Sequence, residues 1–123
     1  MKKWITLIIM TSSVAALMAC GKGNPVLRQD SDTFVTAVRE YDSRHLGSHI
    51  AKNCGEYYAH PKEVEKSAMV VMFGKEEVDR SCTKDMTRLA AYLNQLPAFA
   101  GITVADLQQK NTWLHYFKST KAK

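Results

Sequence analysis

The most regular pattern of apolar and polar positions lies between Lys75 and Leu96. Val78, Cys82, Met86, Leu89, Leu93 and Leu96 follow one another at steps of four, four, three, four and three. That spacing draws one apolar stripe along an amphipathic helix, with Asp79-Arg80 and Lys84-Asp85 on its polar side. Phe34, Val35, Val38, Tyr41 and Leu46 also fall at helical spacings. Asp30 or Ser31 can cap that helix near Asp32, and Gly47 is placed to end it. Ile50, Cys54, Tyr57 and Tyr58 share one side of a shorter segment from Ser48 to Tyr58, weakened as a helix by Gly55.

His60-Pro61 is a break, because the residue before proline avoids the α region while Pro61 suits a first helical turn. Lys62-Glu63-Val64-Glu65 opens the next helix with acidic residues at its positive end. Val64, Ala68, Val71 and Met72 supply its apolar face, which predicts one helix over 61–73 that ends or kinks at Gly74. The run Met69 to Phe73 also suits a short strand, but the helical phase of Val64 and Ala68 continues into it. Pro97 and Gly101 bound a loop, and Thr103 caps the last helix with Asp106 three residues on. Val104, Leu107, Trp113 or Leu114, and Phe117 give that helix its apolar face. The pattern predicts an all-α bundle of four or five helices over residues 31–118, with a basic tail at 119–123.

The start of the chain has a different character. Lys2 and Lys3 precede apolar stretches at Trp4 to Met10 and Val14 to Met18, interrupted by Thr11-Ser12-Ser13. The segment is short for a membrane span, which takes roughly 20 apolar residues. It closes on Leu17-Met18-Ala19-Cys20. This arrangement resembles a bacterial lipoprotein signal peptide with its lipobox. The resemblance implies cleavage after residue 19, diacylglycerol on the Cys20 thiol and usually a further acyl chain on its amine. Gly21, where an aspartate tends to retain lipoproteins at the inner membrane, favours the outer membrane facing the periplasm. An uncleaved anchor and an ordinary secretory signal cut near Ala19 are the competing readings. Residues 20–30 hold Gly21, Gly23, Asn24 and Pro25 without apolar periodicity, and read as a lipidated N-terminus and short tether.

Removing 19 residues from 123 leaves 104, enough for one small domain near the lower limit for a self-sufficient core. The formal charge falls from +5 to +3 once Lys2 and Lys3 are gone, with both signs interspersed. Mild charge and an envelope compartment argue against nucleic acid as a partner. Cys54 and Cys82 remain as an even pair in an oxidising compartment, which argues for one disulfide. A metal site and two free buried thiols are the alternatives.

The chain holds no G-x-S-x-G, no H-E-x-x-H, no phosphate-binding glycine loop and no dinucleotide fingerprint. His45 and His49 stand four apart with Asp42 nearby, and Cys54 is the one further candidate ligand for a metal. Gly47 interrupts that helix face, and no third ligand follows from the spacing. Neither a catalytic residue, a metal nor a cofactor is therefore expected. Tyr57-Tyr58-Ala59-His60-Pro61-Lys62-Glu63 resembles a motif of small exclusion lipoproteins carried by conjugative plasmids. The likeness covers these seven residues and the leader, and departs from the family in length and cysteine placement. It implies a non-enzymatic lipoprotein that binds another envelope protein, with membrane lipid as its other partner. Small helical lipoproteins with one disulfide also resemble secretin pilotins, which clasp an amphipathic helix of a client.

Overall fold

The computed structural model describes residues 23–46 and 48–121. Among them lie seven α-helices and no strand. They are α1 (Ser31–Arg44), α2 (Glu56–Ala59), α3 (Pro61–Val64), α4 (Ala68–Phe73), α5 (Lys75–Leu93), α6 (Val104–Leu107) and α7 (Lys110–Lys121). Short 3₁₀ turns at Pro25–Arg28 and Pro97–Phe99 and a π turn at Ala51–Gly55 complete the chain path. The expected all-α bundle is thus observed, with more and shorter helices than its periodicity suggests.

α5 follows the predicted stripe closely. Val78, Cys82, Met86, Leu89 and Leu93 are all buried. Gly74, at φ +86°, turns the chain sharply from α4 into α5, a conformation that side chains with a Cβ avoid. α1 lies along α7 and also touches α5. Between them Phe34 stands 5.4 Å from the Trp113 ring, 5.8 Å from Phe99 and 5.9 Å from Tyr116. These tilted and edge-on contacts make the aromatic centre of the core. Cys54 and Cys82 stand at disulfide distance, with Cα atoms 5.5 Å apart, and staple the π turn to the middle of α5.

Several expectations are corrected. Residues 24–30 are not a free tether. The Asn24 Nδ2 lies 2.7 Å from Thr112 Oγ1, 3.1 Å from Gln109 Oε1 and 3.2 Å from the Asp106 carbonyl. Pro25 and Val26 are buried, so this part of the expected tether is packed against the helices. Leu46 is 96% exposed and does not continue the face of α1, because the helix has already ended at Arg44. Ser31 does not cap α1; its Oγ donates instead to the His115 carbonyl across the α1–α7 contact. Gly47 lies outside the described residues.

The helix expected over 61–73 is two. Ser67 adopts an extended backbone and its Oγ accepts from the Val70 N–H, so a new helix starts there in a new phase. Val70 consequently points inward, while Val71 and Met72, expected in the core, point out. The last helix is likewise interrupted between α6 and α7, where the buried Thr112 hydroxyl donates to the Asp106 carbonyl. Thr103 and Asp106 form the predicted reciprocal cap. Tyr116 is buried more fully than Phe117 on this final helix. Ser119, assigned to the basic tail, belongs to α7, with its Oγ on the Asp32 carboxylate. Ala122 and Lys123 lie outside the described residues, as does Cys20.

Candidate functional site

α4 exposes three consecutive apolar side chains. Val71, Met72 and Phe73 are 73%, 74% and 63% exposed. Six apolar residues in a row, Ala68 to Phe73, cannot all face one side of a helix. Since Val70 and Met69 take the inward side, the rest must meet solvent. Isolated exposed apolar residues are ordinary; among the described residues these three are the only large exposed apolar side chains adjacent in sequence.

Beside this group lies a half-open cavity of about 340 Å³ between α4, α5 and the π turn. Met69, Phe73 and Val78 form its apolar wall, and the Cys54–Cys82 pair its floor. Its charged lining residues, Glu77 and Asp85, are both acidic. Glu77 is drawn toward Arg80 on the exposed face of α5, at 2.5 Å, a contact worth little in water. Asp85 is half-buried, with Oδ2 3.6 Å from Cys54 Sγ. Burial pushes its carboxyl above the ordinary aspartate range, the Asp42 charge adds to the rise, and Arg88 opposes it. An ionised Asp85 is therefore a cost to the fold that a cation in the cavity would relieve.

Asn53 and Asp85 also line a second, more polar depression of about 450 Å³, bounded by Tyr41, His45, His49 and Arg88. The histidines considered as ligands are thus neighbours, yet the rest of that set is engaged elsewhere. Asp42 Oδ1 accepts from Ser48 Oγ at 3.0 Å and from the Ile50 N–H at 3.2 Å. His45 Nδ1 donates to the Tyr41 carbonyl at 2.8 Å, and its ring stacks on Tyr41. Cys54 is committed to Cys82. Among the described residues no three His, Cys, Asp or Glu side chains are gathered as metal ligands.

The Tyr57 to Glu63 motif is spread over α2, the break and α3. Tyr57 is buried and its hydroxyl donates to Asp79 on α5. Burial first, then that hydrogen bond and the Asp79 charge, hold its pKa well above the ordinary tyrosine value. Tyr58 faces Gln108. His60, Pro61 and Glu63 border a shallow recess of about 280 Å³ with Lys110. The tyrosines thus hold α2 to its neighbours.

Sequence reasoning placed Val71 and Met72 in the core and Asp85 on a polar face. The signal for Asp85 is its position three residues after Cys82, within reach of the buried stripe. No family model matches the chain, and no curated protein or solved structure matches it.

Proposed function

We propose that this protein is an acylated lipoprotein of the outer membrane, facing the periplasm, that binds another envelope protein and carries out no catalysis. The lipobox ending in Cys20 supports the address. The exposed Val71-Met72-Phe73 group beside an acid-walled cavity is the observation that carries the binding reading. The occupant it suits is an amphipathic helix, seating one apolar side chain against Met69 and Val78 and a Lys or Arg against Glu77 and Asp85. Within this class, exclusion in conjugation is the specific role, in keeping with the Tyr57 to Glu63 stretch.

The test uses recipient cells that make the full chain, mated with donors of the same conjugative element. Transfer falls in those recipients and recovers with Cys20→Ser, Phe73→Asp or Asp85→Asn. Phe73→Asp replaces an exposed side chain, so its stability stays within about 0.5 kcal/mol of the parent. Undiminished transfer into cells making the unaltered protein sinks the exclusion role. A pilotin-like role is favoured by the same exposed apolar group beside the cavity, and it predicts loss of an envelope secretin from the outer membrane on deletion.

A further inference from the structure

We infer that the acid-walled cavity beside α4 also takes the exposed face of α7 from a second copy of this chain, a self-contact that rests on the binding surface proposed above. The occupant proposed there is a helix that carries an apolar side chain next to basic ones, and the chain itself displays such a helix. On α7, Lys110, Leu114 and Lys118 recur at four-residue steps, and all three are exposed. The α7 sequence contains no acidic residue. Lys110 borders the same recess as Glu63, but among the described residues no ion pair joins them. Both lysines are therefore open to a carboxylate from outside.

The cavity repeats that spacing with the opposite charge. Glu77, Ser81 and Asp85 recur at four-residue steps along α5, and all three line it. Eight residues separate the two acids, and eight separate the two lysines. At 1.5 Å per residue each pair spans about 12 Å along its helix. Laid along α5 of the next copy, α7 brings its two lysines opposite the two carboxylates. Leu114 then meets the small Ser81, which leaves room for a larger side chain beside Met69 and Val78. Arg80 holds Glu77 only through an exposed pair, which an incoming lysine displaces at little cost. Arg88 lines the neighbouring depression and not this cavity. Within one copy the two surfaces do not meet. α4 packs on α5, whereas α7 packs mainly on α1, α2, α6 and the Pro25–Arg28 turn. The contact therefore joins unlike surfaces of two copies, and such a head-to-tail contact closes into a ring or grows into a chain. It fills the cavity that an envelope partner would use, so self-association and partner binding exclude one another.

The experiment takes the full chain in octyl glucoside micelles and reads its mass by sedimentation as its concentration rises from about 5 to about 500 μM. The average protein mass of the parent is expected to rise at least about twofold over that range. One variant, Glu77→Lys with Asp85→Asn, removes the acidity of the cavity. The other, Lys110→Glu with Lys118→Glu, reverses the charge of the α7 face. All four positions are exposed except the half-buried Asp85. Each variant alone is expected to stay at the mass of one copy. An equimolar mixture is expected to associate again, because the intact α7 of the first fits the intact cavity of the second. A misfolded variant would not recover on mixing. A parent that stays a single copy, variants that associate as the parent does, or a mixture that remains single overturns the self-contact. Mass is read on purified protein and exclusion in mating cells, so the two readings fail separately. If the cavity variant restores transfer while the parent stays a single copy, the cavity serves an envelope partner alone.

Discussion

Gly55 shows how one residue can be read correctly as unusual and still be misjudged. In the sequence it counts against a helix, yet its backbone is helical, at φ −60°. Its purpose lies in what touches it. A Cβ built there would come within 2.6 Å of Trp113 Cε3, and Trp113 is fully buried and cannot move aside. The indole also donates from Nε1 to the Leu107 carbonyl at 2.6 Å, which further fixes the ring. Gly55→Ala sets two effects against each other. Helix propensity favours alanine by about 1 kcal/mol. Overpacking a rigid core costs about 1–3 kcal/mol, and with no slack around the ring the larger figure applies. A net loss of ~1–2 kcal/mol is expected, read as a fall in melting temperature by circular dichroism. A melting temperature equal to or above the parent's would show that the ring yields.

At the scale of elements, legibility followed how far each helix depends on its own residues. α5 is long and carries one uninterrupted stripe, so its periodicity alone located it. The capping box at Thr103 was legible for the same reason, since both partners lie within one turn. The stretch over 61–73 was not. A single serine cap restarted the helix, and a local hydrogen bond of that kind leaves no trace in hydrophobic spacing. The Cys54–Cys82 link joins the π turn to α5 across 28 residues of sequence. By loop entropy a link of that span contributes roughly 3–4 kcal/mol. The Cys54→Ala, Cys82→Ala double variant is therefore expected to melt ~15 °C or more below the parent, at about 4–8 °C per kcal/mol for a domain of this size. Reductant should lower the parent to a similar temperature. A shift of only a degree or two in the double variant would mean that the π turn holds to α5 without the link.

The whole molecule carries its own pH response. Tyr41, Tyr57, Tyr58 and Tyr116 belong to α1, α2 and α7, and burial raises the pKa of all four. The folded state therefore keeps the phenolic proton more tightly than the unfolded chain. The stabilisation is complete below the ordinary tyrosine value of about 10 and drains away as pH climbs toward each folded value. Melting temperature should stay level from neutral pH to about 10 and fall beyond it, more steeply in the parent than in Tyr57→Phe. Identical alkaline slopes in the two proteins would remove Tyr57 from that response. By itself the sequence determined the helical class, the stripe of α5 and the leader-like pattern that ends on Cys20, and it favoured a bond between the two cysteines over a metal site or free thiols. These depend on residue type and on spacing along one segment. Only the tertiary structure decided that Asn24 to Val26 pack against the helices, that Val71 to Phe73 face outward and that Asp85 is half-buried beside a disulfide. Those outcomes depend on which distant segments meet, and neither the Asn24 contacts with α6 and α7 nor the indole against Gly55 can be read from neighbours in the chain.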